Sequence, residues 1–249
     1  MRKVGVIMHI YSHFVLIFSV EMPHRWPLTL WTAALLLAAG SFLSGWHTAV
    51  LNTTFAADEP GSLLNQISLS AVEKEAATAL TVAGAAIGSS LSVLPSTLGY
   101  KRTILMNNLL FLGGTLCTLF PVLSLLLVGR FVVGLAVGFN NITSPVLLSE
   151  IAPKEVRGLF TTMHQLGVTI GILASGVAGL GFVSYVPKGW RYLFAIGLIC
   201  PALQFALGWA YIPESPRWLV RNGRRDAAIL SYVCCCMAPC AFHPNLCAV

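Results

Sequence analysis

Six long apolar runs dominate this sequence and decide what it can fold into. They cover roughly residues 28–51, 77–98, 103–127, 128–149, 159–183 and 191–212. At a rise of about 1.5 Å per residue, each run is long enough as a helix to cross about 30 Å of hydrocarbon. Backbone groups in lipid must hydrogen-bond within the protein, which restricts spanning segments to helices and closed barrels. The runs therefore predict an all-α membrane protein with six transmembrane helices.

The composition also indicates a lipid bilayer as the surrounding solvent. Hydrophobic residues make up 56% of the chain and charged residues 10%, against roughly 25% charged residues in a soluble domain. The mean hydropathy is +0.79. The net charge of +6 does not indicate a nucleic-acid partner, because no basic patch is interleaved with stacking aromatic residues.

The placement of Lys and Arg predicts the orientation of the chain. Cytosolic loops of membrane proteins carry an excess of these residues. Lys74 and Lys188 fall on the outside if the N-terminus is cytosolic, with Arg130 and Arg191 at the membrane boundaries. The other eleven of the 15 fall inside: Arg2, Lys3, Arg25, Lys101, Arg102, Lys154, Arg157, Arg217, Arg221, Arg224 and Arg225. Both termini are therefore predicted to be cytosolic, while plasma membrane and endomembrane remain equally open.

No sequence pattern indicates an enzyme. The chain has no Ser-His-Asp arrangement, HExxH pattern or Walker loop. No cofactor or metal site is predicted within the spans. The informative residues are instead the polar side chains inside the apolar runs, because each is costly to expose to lipid and should face the bundle interior or an aqueous cavity. They are His47, Asn140, Asn141, His164, Gln165 and Thr169.

Two of the residues within the spans suit a sugar. The amide of Gln165 offers two donors and an acceptor, which matches a polyol. The indole of Trp46 can stack on a sugar ring, with plain packing as the alternative. For the other polar residues, hydrogen bonding between helices is the alternative to ligand binding.

Glycines four residues apart predict close contacts between helices. Small residues at this spacing let helix backbones approach in a membrane. Such contacts give tight packing, and their smooth faces also permit helices to rock during transport. Three pairs occur in the spans: Gly84 and Gly88, Gly134 and Gly138, and Gly167 and Gly171.

Six motifs, in order, resemble one protein family. They are "GWHTAVLN" (45–52), "LGYKR" (98–102), "VGRFVVGLAVGF" (128–139), "SEIAPKEVRG" (149–158), "HQLGVTIGIL" (164–173) and "PESPRWLV" (213–220). Together they resemble the N-terminal half of a sugar porter of the major facilitator superfamily, of the glucose-facilitator type, over residues 28–226. The resemblance implies a six-helix bundle of 3+3 inverted repeats and movement of a hexose by alternating access.

The resemblance also implies a sugar-binding set. Gln165 falls on a glutamine that hydrogen-bonds the sugar, and Val168 and Ile172 fall on its apolar neighbours. Trp46 and His47 belong to the first motif and complete the predicted substrate-binding residues. Because proton-coupled relatives carry Asp at the position of His47 and facilitators often carry Asn, a His leaves proton coupling open.

A gating charge network on the cytosolic side is the second implied site. Its members are Glu150, Arg157, Lys101, Arg102, Glu214 and Arg217. In the family such residues hold the outward-open state. This chain departs from the pattern at three positions. The family has Asp or Asn followed by Arg where this chain has Ser96 and Thr97, and an arginine where it has Tyr100. We therefore expect a weaker network.

The two ends of the chain match less well. Residues 1–27 form an N-terminal segment of uncertain role, and residues 227–249 form a Cys-rich divergent tail. A truncated or alternatively spliced end, palmitoylated cysteines and a zinc site from Cys236, Cys240, His243 and Cys247 are the alternatives for this tail.

The resemblance covers one of the two six-helix halves of a sugar porter. The chain is therefore expected to act with a sugar substrate and a second half-transporter. The alternative is a half that does not transport and instead pairs with a full-length transporter to regulate it.

Overall fold

The computed structural model describes residues 28–55, 62–63 and 69–236, and the regular secondary structure in them is helical. A 3-10 turn, Leu91–Val93, separates the second and third helices. The helices are α1 (Leu28–Thr54), α2 (Ala71–Ser90), α3 (Leu94–Leu98), α4 (Tyr100–Thr118), α5 (Leu123–Ile151), α6 (Arg157–Tyr185), α7 (Gly189–Tyr211), α8 (Pro216–Arg221) and α9 (Arg225–Cys236).

The six predicted spans correspond to α1, α2 with α3, α4, α5, α6 and α7. Four of these helices, α1, α5, α6 and α7, are long and apolar enough to cross a membrane by length and composition. The other two are more polar, since α2 begins with charged residues and α4 contains buried Asn107 and Asn108. The predicted turn at Pro121 is confirmed, but α5 begins at Leu123 rather than at residue 128.

Helix ends follow local capping chemistry. Ser70 and Glu73 form a reciprocal capping box at the start of α2, which pairs two backbone N–H groups that the helix leaves open. Ser215 caps α8, and Pro216 follows at the first helical position, where its missing N–H costs no hydrogen bond. The Pro-Glu-Ser-Pro sequence after α7 therefore ends one helix and begins another.

Two helix pairs form the closest contacts in the bundle. α1 packs along α6, and α2 packs along α5. A Cβ atom at Gly171 would overlap the carbonyl oxygen of Phe42 in α1, and one at Gly138 would overlap that of Ala85 in α2. The prediction that the glycine pairs mark close helix contacts is confirmed, and any larger side chain there must push two backbones apart.

The contact pattern shows an inverted repeat of three helices. Smaller contacts of α6 with α5 and with α7 have no counterpart of similar extent among the described residues of the other triplet. The further extensive pairs are α4 with α5, α1 with α7, α4 with α7, and α1 with α5. Exchanging α1 with α5, α2 with α6, and α4 with α7 turns this set of pairs into itself. The α1–α6 pair becomes α5–α2, and the α4–α5 pair becomes α7–α1. The bundle is therefore a six-helix unit of two related triplets, as predicted for half of a major-facilitator fold.

The apolar core divides into clusters along the bundle axis. At the end where α1 begins, Leu37, Leu147 and Phe160 are completely buried. At the opposite end, Trp190 and Phe194 anchor a second cluster. A smaller cluster around Phe111 and Val133 lies between them.

The terminal segments are only partly described. Residues 1–27 lie outside the described ranges, as do Cys240, His243 and Cys247 of the zinc alternative. The predicted boundary between residues 226 and 227 falls inside α9, which continues to Cys236.

We expect Gly171→Ala to destabilise the bundle, because the added methyl group overlaps the backbone of α1. Overpacking of this kind costs about 1–3 kcal/mol. Gly181→Ala is a matched control in the same helix, since a Cβ there meets nothing within 4 Å. Thermal unfolding of the purified proteins in detergent would measure both. Equal unfolding midpoints for the two variants would contradict the proposed role of the close contact.

Candidate substrate face and gating network

α6 has one closely packed face and one that is more open. On the packed face, Gly167 and Gly171 lie against the backbone of α1. His164, on the same face, is buried, with its Nδ1 atom 2.6 Å from the hydroxyl oxygen of Ser41 in α1. This histidine therefore has the interhelical hydrogen bond that was the alternative to ligand binding.

A second side of α6 is more open and carries two polar residues. Gln165 and Thr169 are exposed and Ile172 is 42% exposed, whereas Val168 is half-buried, with its backbone against Gly45 of α1. Gln165 and Ile172 each lie three and four positions from Val168 and Thr169, which places the four on one side of a helix. The Thr169 hydroxyl donates to the carbonyl of Gln165 at 2.8 Å, while the Gln165 side-chain amide has no hydrogen-bond partner in the described ranges. We call Gln165, Val168, Thr169 and Ile172 the α6 face.

Trp46 lies inside the bundle and apart from the α6 face. Its side chain is buried, and its Nε1–H donates to the carbonyl of Leu193 in α7 at 3.2 Å. The ring also packs 5.9 Å from that of Phe42. These contacts are those of a packed core residue, the alternative left open by the sequence.

His47 is also buried, between α4 and α7. Its ring stacks on Phe111 at 5.8 Å, and its Nε2 atom lies 3.3 Å from the hydroxyl oxygen of Thr115. That hydroxyl donates to the Phe111 carbonyl at 2.6 Å, so Nε2 is the nitrogen that carries a proton to donate. Nδ1 is then a buried acceptor without a hydrogen-bond partner in the described part of the chain.

Arg130, which the sequence analysis placed at the membrane boundary, is buried inside the bundle. It is the eighth residue of α5 and is completely buried. Its Nη1 donates to the His47 carbonyl at 3.4 Å, and its guanidinium carbon lies 4.8 Å from the ring centre of Phe194. The sequence did not indicate this burial, because the partner His47 lies 83 residues earlier in the chain.

Asn140 forms a second polar contact in the interior. Its amide donates to the Ser44 hydroxyl at 3.0 Å and accepts from Ser144 at 2.7 Å. This asparagine therefore joins α1 to α5, whereas Asn141 is exposed.

In the gating charge network, the carboxylate of Glu214 caps α4. It accepts hydrogen bonds from the backbone N–H groups of Tyr100 at 2.6 Å and Lys101 at 3.2 Å. The first N–H groups of a helix have no partner within it and attract an anion. Gly99, just before α4, has φ +95°, and a Cβ there would lie 2.6 Å from the Glu214 carboxylate. Residue 99 must therefore be a glycine, both for its positive φ angle and for the close approach of the Glu214 carboxylate.

Ser215 links two further parts of this network and was not singled out from the sequence. Its hydroxyl donates to the carboxylate of Glu150 at the end of α5, and accepts from the N–H of Trp218 at 3.2 Å. The signal was present, since Ser followed by Pro is typical of a helix start. Ser215 therefore connects α5 to the start of α8.

The cations of the network are arranged less tightly. Arg102 and Arg217 are exposed, and Arg157 is half-buried with its Nε atom lacking a hydrogen-bond partner among the described residues. The Lys101 ammonium lies 5.9 Å from the ring centre of Trp209. The two carboxylates are instead joined through Ser215, whose N–H donates to Glu214 at 3.1 Å and whose hydroxyl donates to Glu150.

Burial controls the ionisation of Glu214 in this network. It raises the pKa of Glu214 above its ordinary value, while hydrogen bonds from the Ser215, Lys101 and Tyr100 backbone and attraction to Lys101 act in the opposite direction. The network is therefore an anionic centre that is partly withdrawn from water.

The bundle of two related helix triplets has the architecture of half of a membrane transporter. A family model described as "Sugar (and other) transporter" matches residues 33–232. The chain belongs to this family, which is one of transporters rather than enzymes.

Individual relatives agree with the family match. The chain is 34% identical over 196 residues to "Glucose transporter GlcP" of Staphylococcus epidermidis, covering 77% of this chain and 42% of the relative. It is 33% identical over 213 residues to the human "Proton myo-inositol cotransporter", covering 81% and 31%. The xylose transporter XylE from E. coli, in a partially occluded inward-open conformation, superimposes with a TM-score of 0.68 at 25% identity, covering 82% and 55%. The chain spans less than half the length of both of these curated relatives.

We expect the stability of the protein to depend on the ionisation of Glu214. Because its folded-state pKa is raised above the ordinary value of 4.5, the folded state holds the proton more tightly than the unfolded state. This contribution to stability is fully present below pH 4.5 and is lost as the pH rises through the folded-state pKa.

The test compares the thermal unfolding midpoints of wild type and Glu214→Gln from below pH 4.5 to above the folded-state pKa of Glu214. The contributions of other groups cancel in this comparison. The midpoint of the wild type should fall relative to that of the variant as the pH increases. A difference that grows in favour of the wild type would show that hydrogen bonding and attraction to Lys101 outweigh burial.

Proposed function

We propose that this chain is the N-terminal half of a transporter that moves a hexose across a membrane by alternating access. The observation that carries the proposal is the open α6 face. A primary amide exposed between apolar helices is costly in lipid, so it is expected to face a water-filled cavity. The names of the relatives, a glucose transporter among them, support a sugar as the occupant.

In the proposed site, Gln165 hydrogen-bonds two sugar hydroxyls through its amide. Val168 and Ile172 lie on the same face and contact the apolar carbon surface of the ring. Trp46 and His47 support the site from the interior, where their contacts to α7 and α4 fix the position of α1. Substrate sites of such transporters lie between two six-helix halves at the midplane, so the proposal requires a second half.

The gating charge network is proposed to stabilise one of the two conformations. Glu214, Glu150 and Ser215 connect α4, α5 and α8 at one end of the bundle. Charge pairs at a hydrated rim contribute little individually. Such contacts can bias two states a few kcal/mol apart without locking either of them.

For the site, we expect Gln165→Ala to weaken the binding of D-glucose. Two lost hydrogen bonds at about 0.5–1.5 kcal/mol each correspond to roughly 5- to 150-fold weaker binding. Thermal stabilisation of the purified chain by D-glucose, with L-glucose as the ligand control, would measure this. Asn222→Ala, which removes an exposed amide outside the spans, should leave the stabilisation unchanged. Equal stabilisation of wild type and Gln165→Ala would reject the assigned site.

Uptake would test the function itself. Proteoliposomes holding this chain with the C-terminal half of the Staphylococcus epidermidis relative should accumulate labelled D-glucose, and those holding either half alone should not. Sugar binding without uptake in any pairing would contradict transport while keeping the site. Reduced uptake by a full-length relative in the presence of this chain would instead favour the regulatory alternative.

We also propose that the gating charge network faces the cytosol. The excess of Lys and Arg at this end supports that orientation. A glycosylation site introduced into the loop between α1 and α2 should be modified in microsomes, and one introduced between α5 and α6 should not. The reverse pattern would invert the proposed topology.

A further inference from the structure

A basic hairpin follows the last long helix, and only Arg217 of its arginines belongs to the proposed gating charge network. It consists of α8, a turn at Asn222 and Gly223, and α9. Gly223 has φ +76°, the left-handed conformation that lets the chain reverse, and the Arg224 N–H donates to the Leu219 carbonyl at 2.9 Å. The Ser231 hydroxyl donates to the Glu214 carbonyl at 2.8 Å and fixes α9 to the bundle.

The hairpin has an inner apolar side and an outer cationic side. Leu219 and Ala228 are buried against the bundle. The arginines at 217, 221, 224 and 225 are all exposed. With Asp226 as the only acidic residue in 216–231, the segment carries a net charge of +3, from four arginines and one aspartate.

A groove of about 680 Å³ lies between the two helices. Its lining residues are Pro216, Arg217, Val220, Arg225, Ala228 and Ile229. Neither guanidinium in it has a hydrogen-bond or ion-pair partner within residues 28–55, 62–63 and 69–236. Val220 and Ile229 are 56% and 63% exposed beside them. The groove thus offers free guanidinium donors next to uncovered aliphatic surface.

The position of the groove identifies the kind of ligand. Trp209 and Tyr211, in the last turn of α7, are exposed, and such aromatic residues mark the depth of the lipid headgroups. Pro216, the first residue of the groove, follows Tyr211 by only five positions.

We propose that this groove binds the headgroup of an anionic phospholipid. Arg217 and Arg225 hold the phosphate through charge-assisted hydrogen bonds, for which the guanidinium fork is well suited. Val220 and Ile229 contact the glycerol and the upper part of the acyl chains. A soluble anion would use the two arginines but would leave both aliphatic side chains exposed to water, so the combination favours a lipid.

Binding of short-chain phosphatidylserine to the full chain in detergent micelles would test the proposal. One lipid should bind saturably per chain, and phosphatidylcholine should bind more weakly. An arginine at a charged membrane surface contributes about 1 kcal/mol, so Arg225→Gln should weaken binding roughly fivefold. Arg225→Lys should retain part of the affinity. Ile229→Ser should also weaken lipid binding.

Arg191→Gln is the matched control, because Arg191 is an exposed arginine at the opposite end of α7. Its lipid affinity should equal that of the wild type, and unfolding midpoints should confirm that each variant is folded. Equal affinity of wild type and Arg225→Gln, or an equal loss in Arg191→Gln, would overturn the proposal. Full displacement of the lipid by inorganic phosphate, or by a peptide of residues 237–249, would instead assign the groove to a free anion or to the tail of the chain.

Discussion

The fold depends on direct contact between helix backbones at glycines. In lipid, apolar side chains gain little from leaving one hydrocarbon environment for another, so helix association relies on close packing and polar contacts. Gly171 against Phe42, and Gly138 against Ala85, provide that packing in the two pairs related by the inverted repeat. Because the packed face of α6 satisfies its contacts in this way, the more open side is free to present Gln165.

A second constraint joins the ends of helices that are far apart in sequence. Glu214 lies 114 residues after Tyr100, yet it pairs the N–H groups that begin α4. A conformational change that separates α4 from the segment after α7 must leave those groups to water. The same segment continues into the basic hairpin, which connects the packing of this end to the membrane surface.

The fold could be predicted from local patterns. Apolar length, glycine spacing and ordered motifs are properties of short stretches, and they located the helices and the glycine contacts. Arg130 and Ser215 depend instead on distant partners, His47 and Glu150, which no local pattern contains. The burial of Trp46 could not be predicted either, because a tryptophan suits both stacking on a ligand and packing against α7. The assignment of Gln165 to a sugar remains a prediction.

Asn107 of α4 affects how the chain enters a membrane as it is synthesised. The Asn107 amide donates to the carbonyl of Ala136, at 3.2 Å, in a helix that emerges from the ribosome later. Until α5 is made, α4 would hold this amide in hydrocarbon without that partner. The physical consequence is that α4 and α5 should partition into the bilayer together as a hairpin, with the translocon retaining the earlier helix.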